Sequence, residues 1–205
     1  MEILSFPEAD TPPALRIQVL ELQEEAWPSE AGAAPPAHRL SHDPALRPRS
    51  VLLIDSDRDG DNTRTVLAAL DILSKEIVHA GRRYSAAGLS TVATRAAVRG
   101  QGLGRRLVIA AREEMARQGT AEGAVDVGLF TCDRPLQAFY ESAGWHVLPG
   151  TVLIGGTPEA PFPSDRPGFD KVTMACFFSE ASRAHEASFR GARVELYPGE
   201  IDKLW

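Results

Sequence analysis

Arg99-Gly100-Gln101-Gly102-Leu103-Gly104, running on through Arg105-Arg106-Leu107-Val108 toward Arg117, is the stretch on which the fold turns. Leu103, Leu107, Ala111 and Met115 recur every four residues, so the part after the glycines reads as a helix with one buried stripe. Ahead of it, Leu89-Ser90-Thr91-Val92-Ala93-Thr94 is rich in β-branched residues and reads as a strand. A glycine loop between strand and helix leaves free backbone N–H groups around an anion at the positive end of the helix. Glycines at 100, 102 and 104 let the backbone approach a pyrophosphate with no Cβ in the way, and Arg95, Arg99, Arg105 and Arg106 add charge. Two other phosphate motifs fail. A P-loop needs Gly-Lys-Ser/Thr where the chain has Gly104-Arg105-Arg106, and a dinucleotide fingerprint needs glycine where Leu107 stands. On the loop alone, a tight turn with no ligand explains the glycines about as well, so the flanking chain has to decide.

Downstream, residues 125–130 read as a strand, and Asp133 and Pro135 open a helix through Leu136, Phe139, Tyr140 and Ala143 that Gly144 ends as a left-handed cap. Strands follow near 145–148, 151–154 and 171–178. The Pro/Gly-rich loop 155–169 is long enough to wall a substrate site. Upstream, residues 1–6 read as a short edge strand. Thr11 is the expected N-cap of a helix that accepts Pro12 and Pro13 in its first turn and buries Leu15, Val19, Leu22 and Ala26. Residues 31–48, with His38, His42 and Asp43, read as a long loop. Strands at 51–54 and 66–73 form a hairpin about a turn cluster at 57–62, and 77–84, turning at Gly81, extends the sheet. The whole reads as one α/β domain whose middle runs strand, glycine loop, helix, strand, helix, strand.

The chain has 205 residues, 43% of them hydrophobic and 24% charged, which is enough for one domain with a real core. No apolar run nears the roughly 18 residues of a membrane span, and Met1-Glu2-Ile3-Leu4 does not open like a signal peptide, so a cytoplasmic address and no membrane partner are expected. A net charge of -6 argues against a nucleic-acid partner and leans toward a cationic substrate. The two cysteines, Cys132 and Cys176, support neither a disulfide framework nor a metal site, so no metal is expected.

Arg99-x-x-Gly102-x-Gly104 at the head of a long helix resembles the acetyl-CoA signature of the GCN5-related N-acetyltransferases (GNAT). Phe139-Tyr140-Glu141-Ser142-Ala143-Gly144-Trp145 resembles that family's second signature, at the expected distance and after the expected strand. The likeness covers roughly residues 50 to 180. It implies an α/β (α+β) GNAT fold: a mixed, mostly antiparallel central sheet, splayed between its central strands and flanked by helices. It also implies acetyl-CoA as co-substrate, a small-molecule amine as acceptor and, since relatives are commonly dimers, a homodimer. A closer resemblance is to aminoglycoside 2′-N-acetyltransferases, in the central segment, the Pro-rich loop and the tail Gly199-Glu200-Ile201-Asp202-Lys203-Leu204-Trp205. Those enzymes end in a short acidic segment closed by Trp, whose carboxylate helps hold the cationic sugar. They also carry, on the strand before the glycine loop, a Glu that helps deprotonate the amine; here that position is Ser90, whose hydroxyl serves only by holding a water.

The resemblance assigns roles. Val92 would offer its backbone N–H to the thioester carbonyl, and Thr94, Arg99, Gly100, Gln101, Gly102, Leu103, Gly104, Arg105 and Asp133 would surround the cofactor. Tyr140 matches the general acid, since a phenol of pKa about 10 can donate to a departing thiolate; the alternative is a core tyrosine sharing a helix face with Leu136, Phe139 and Ala143. For the base there are four candidates: Ser90 through a water, Asp133 (otherwise a helix N-cap), His146 and, through covalent chemistry, Cys132. Asp170, Asp202 and Trp205 are the expected substrate contacts, from an acidic set that also holds Asp43, Asp165, Glu195 and Glu200. The segment 179–205 is expected to dock near the acceptor, because Ile-Asp-Lys-Leu-Trp is too apolar to hang free. The competing reading is an acyl-CoA sensor on the same fold without turnover.

Overall fold

The computed structural model describes residues 1–28, 41–56, 64–118, 124–198 and 204. A seven-stranded sheet has the order β1-β2-β3-β4-β5-β9-β6, from β1 (Glu2–Pro7), β2 (Arg49–Ser56), β3 (Arg64–His79), β4 (Arg82–Thr94), β5 (Val127–Asp133), β6 (His146–Val147) and β9 (Lys171–Phe177). A second sheet of three strands, β10-β7-β8, joins β7 (Val152–Gly156), β8 (Pro161–Pro163) and β10 (Arg193–Glu195). The described α-helices are α1 (Pro13–Ala26), α2 (Leu103–Gln118), α3 (Gln137–Ser142), α4 (Glu180–Ala184) and α5 (Glu186–Phe189), with short 3-10 turns between elements. The fold is a mixed, mostly antiparallel sheet flanked by helices, as the resemblance implies: among the described residues of the larger sheet, only β4 and β5 pair in parallel.

That parallel joint is two rungs long, Ala86 opposite Val127 and Ala87 opposite Gly128, whereas β5 pairs with β9 along its whole length. Asp126 fixes the joint from one end, its N–H donating to the Ser85 carbonyl and its carboxylate accepting from the Ser85 N–H at 2.9 Å. Beyond Gly128 the two strands part. On the other edge of β4 a bulge sets Thr91 and Val92 against Leu70, with Thr91 at φ +50°. The cleft between β4 and β5 is therefore open where the bulge turns the backbone.

Strand alternation assigns the core to two faces. Val51, Leu53, Leu70, Ala87 and Leu89 pack with Leu107, Val108, Ala111 and Met115 of α2 and with Trp145, so the stripe expected of the helix is the buried one. Their neighbours Leu52, Ile54, Ala69 and Ala93 pack on Leu15, Val19 and Leu22 of α1. Further along that second face, Ile77, Tyr84 and Ala86 are covered by Phe189, Val194, Leu196 and Leu204 from the C-terminal segment.

Several expectations are corrected. Pro12 rather than Thr11 caps α1, without any side-chain bond, because Thr11 is used to close the preceding 3-10 turn through its N–H to the Glu8 carbonyl. β3 is one sixteen-residue strand, not two: the break expected around Ser74-Lys75-Glu76 is absent because buried Lys75 donates to the carbonyls of Leu196 and Pro198. Segment 155–169 contains β8, which pairs with β7 around a turn where a Cβ on Gly156 would meet the Ala160 carbonyl at 2.3 Å. The C-terminal segment forms α4, α5 and β10, where no element is expected from the residue pattern. Residues 57–62 and most of the 31–48 loop lie outside the described residues.

Gly128 sits at the end of the joint, where an added Cβ would lie 2.7 Å from Trp145 Cζ3 and 3.2 Å from Phe178 Cε2. Gly128→Ala is expected to lower unfolding free energy by about 1–3 kcal/mol, read as a shift of the urea midpoint.

Candidate functional site

The glycine loop lies where β4 leaves the sheet. Gly100 and Gly102 both adopt left-handed φ, +78° and +76°, which a side chain would strain. Gly104, already in α2, packs so tightly on β4 that a Cβ would approach Thr94 Oγ1 to 2.8 Å. The Arg106 N–H closes the first helical turn on the Gly102 carbonyl. Arg99 Nε donates to the Thr94 carbonyl at 3.0 Å and Arg105 Nε to the Ser142 carbonyl at 2.8 Å, tying loop to strand and α2 to α3. Arg95 turns away, donating to the Val66 carbonyl and pairing with Glu21 and Glu25 of α1.

These residues enclose a cavity of about 500 Å³ between the β4 bulge, the head of α2 and α3. Val92, Thr94, Arg99, Gly100, Gly102, Leu103, Gly104, Arg105 and Tyr140 all line it. Ala26, Ala93, Val98, Leu136 and Phe139, which sequence reading did not single out for the site, supply much of its apolar wall. The lining suits a ligand with an anionic head and an apolar arm: helix-end N–H groups and two arginines at one end, hydrocarbon at the other.

Tyr140 is buried, with its ring edge-on to Phe130 and to Phe139, each at 4.9 Å between centroids. Burial pushes its phenol well above the usual value near 10, and Cys132 and Asp133 push it the same way. The Cys132 thiol is pushed up to about 11, first by burial and then by Asp133, so at neutral pH it is a protonated thiol rather than a nucleophile.

Other sequence candidates fall outside this lining. Ser90 is half-buried on β4, directly opposite Asp71 of β3. Gln101 is exposed on the loop, and His146 is exposed on β6. Asp133 makes no capping bond and instead pairs with Lys171 at 2.7 Å, while Asp170 pairs with Arg134 at 2.7 Å; both are largely exposed. Asp165 pairs with Arg193, and Asp43 caps a 3-10 turn through the Ala45 N–H. His38, Glu200, Asp202 and Trp205 lie outside the described residues.

Sequence reading missed a buried polar group beside the bulge. Asp71 Oδ1 accepts from Ser50 Oγ at 2.6 Å, and Oδ2 lies 2.5 Å from Thr91 Oγ1 and 3.2 Å from His42 Nε2. The signal was a carboxylate in the apolar run Val66-Leu67-Ala68-Ala69-Leu70-Asp71-Ile72-Leu73, where an unpaired charge would be costly.

A splayed β4–β5 pair with a glycine loop feeding a helix at the opening defines the acyl-CoA transferase class of fold. The family model of the acetyltransferase (GNAT) domain matches residues 14–148, and the chain belongs to that family of N-acyltransferases. Solved structures share the architecture. An acyl-CoA N-acyltransferase from Pseudomonas aeruginosa superposes with a TM-score of 0.52 at 20% identity, covering 85% of this chain and 97% of that one. Escherichia coli ElaA gives 0.55 at 16% identity, over 85% and 97%. An aminoglycoside 6′-N-acetyltransferase complexed with coenzyme A gives 0.53 at 16% identity, over 87% and 98%. At such identities the likeness is one of fold. No curated protein sequence matches significantly.

Gly102→Glu places a carboxylate just before α2, on a backbone whose left-handed φ it strains, and it repels an anionic head group. Acetyl-CoA affinity is expected to fall about tenfold or more, or ~1.4 kcal/mol, in isothermal titration.

Proposed function

We propose that the protein is an acetyl-CoA-dependent N-acetyltransferase whose acceptor is a small cationic amine of aminoglycoside-like character. What carries this reading is the meeting of Tyr140, the Val92 backbone and the Gly100–Gly104 loop in one cavity at the strand opening. Bound acetyl-CoA would supply the acetyl thioester. The loop amides of residues 100–104, with Arg99 and Arg105, would hold its pyrophosphate, and the apolar wall at Val98, Leu136 and Phe139 would accept its arm. The Val92 N–H stands in the bulge, off the regular ladder to β3, and is the donor assigned to the thioester oxygen.

Tyr140 is assigned the proton for the departing sulfur. Burial raises its phenol, so at neutral pH it is protonated and available to donate.

The acceptor is assigned to the face of the sheet opposite α2, between α1 and the C-terminal segment. Ser90 sits there on β4, and the segment that docks nearby brings Phe189, Val194, Leu196 and Leu204 onto β3 and β4. In this reading residues 1–205 act as one transferase domain. The carbonyls and carboxylates of the acidic tail, with Asp202 and Trp205, would complete a pocket for the cation. The overall charge of -6 favours such an acceptor.

Titration with acetyl-CoA, followed by free-thiol release across a panel of aminoglycosides and polyamines, tests the proposal. Thiol release with an aminoglycoside supports it; release with polyamines alone removes the aminoglycoside clause, and no release with any amine defeats the reading. With an active amine, Tyr140→Phe is expected to lower kcat about 100-fold while leaving acetyl-CoA affinity unchanged. An equal loss of affinity would make Tyr140 a packing residue.

A further inference from the structure

Ser90 leaves the acceptor face of β4 without the carboxylate that would draw a proton from an ammonium. Directly across the ladder, on β3, stands Asp71. It is 3% exposed and is held by Ser50 from β2, Thr91 from β4 and His42 from the segment before β2. Ser50 and His42 are as deeply buried as Asp71. Thr91 is only half-buried, and the next residue, Val92, lines the cavity with Tyr140. Among the described residues, His42 is the ionisable side chain within hydrogen-bond distance of Asp71; Lys75 stands further along the same face of β3, and α1 brings apolar Leu15, Val19 and Leu22 to this face.

Thr91 itself points the same way. It holds φ +50°, a conformation costing a β-branched residue on the order of 1–3 kcal/mol. Glycine would make the same bulge without that strain, so the side chain is the feature that the strain retains. Its hydroxyl hydrogen is committed to Asp71 Oδ2 at 2.5 Å, which leaves the oxygen lone pairs for a donor arriving from the cleft. An ammonium N–H is such a donor.

We infer that Thr91 and Asp71 form a two-step proton relay that replaces the absent carboxylate of β4, with Thr91 touching the acceptor amine and Asp71 receiving its proton. The inference rests on the acetyltransferase reading above. In the step, one ammonium N–H bond breaks and its proton passes to Thr91 Oγ1, while the Thr91 O–H proton passes to Asp71 Oδ2. The nitrogen keeps the electron pair, now free to form the amide C–N bond. Thr91 ends as it began and Asp71 ends as the carboxylic acid, to be relieved by solvent after product leaves. Ser50 and His42 are positioning residues that orient the carboxylate.

Thr91→Gly is the decisive variant, because it removes the hydroxyl and relieves the backbone strain together. With the amine found active in the panel, kcat at pH 7 is expected to fall about 100-fold or more, acetyl-CoA affinity by titration to stay within about threefold, and thermal stability to hold or rise. The deficit is expected to shrink as pH climbs toward the amine's own pKa, where the amine arrives neutral and needs no acceptor. Thr91→Ser is expected to recover most of the loss, and Asp71→Asn to reproduce the pH-dependent deficit. Full turnover by Thr91→Gly overturns the relay, and so does a loss of the same size at every pH or one that follows lost acetyl-CoA affinity. Wild-type protein that binds acetyl-CoA but releases no thiol with any amine defeats the acetyltransferase reading and the relay together, whereas active wild type with an active Thr91→Gly defeats the relay alone.

Discussion

The two-rung joint between β4 and β5 is the constraint on which the rest depends. Parallel strands that stayed paired would close the cleft, and strands that never paired would not share a core. Here Ala86, Ala87 and Gly128 bring the backbones together, and Asp126 clamps the near end through both polar groups of Ser85. Small residues are needed at this point because a Cβ on Gly128 would lie 2.7 Å from Trp145 Cζ3, and Trp145 in turn stacks edge-on to Phe130 at 4.7 Å. The opening beyond the joint is thus wedged by aromatic packing of Trp145, which follows α3, against Phe130 of β5.

β3 shows how the second face of the sheet accommodates polar chemistry. Asp71, Lys75 and His79 share its odd-numbered side with Ile77, and each is nearly enclosed. Each is also engaged: Asp71 by hydroxyls and an imidazole, Lys75 by tail carbonyls, and His79 by the Ser188 carbonyl at 2.9 Å and the Phe189 ring at 4.2 Å. Buried polar groups survive only with partners. The partners come from the chain before β2, from β2, from β4 and from the C-terminal segment, so the polar stripe ties distant parts of the chain to one strand.

Much of the GNAT core was legible because its signals are local. The α2 stripe, the left-handed Gly144 and the glycines before α2 are each written within a few residues, and each takes the expected conformation. What was not legible depended on partners far along the chain. Ser74-Lys75-Glu76 reads as a break, and it continues as strand only because Leu196 and Pro198 offer carbonyls to Lys75. β8 and β10 are three residues each and exist by pairing with β7. Asp133 and Asp170 sit near the site in sequence, yet their ion pairs with Lys171 and Arg134 draw them to the rim. Asp71 was hidden inside an apolar run whose period gives no hint of Ser50, Thr91 or His42.

The parallel pairing of β10 with β7, and the burial of Phe189, Leu196 and Leu204 against Ile77 and Tyr84, set an order on how the chain acquires its shape. One face of β3 and β4 can be sealed by α2 and α3 as soon as residue 145 is available. The part of the opposite face not covered by α1 waits for residues 189–204, more than a hundred positions after Ile77 and Tyr84, and closing so long a loop carries an entropic cost that local pairing does not. A chain synthesised only as far as β9 carries Ile77, Tyr84 and Ala86 without Phe189, Val194, Leu196 and Leu204, so over that interval this apolar side of β3 and β4 is the surface a chaperone would meet.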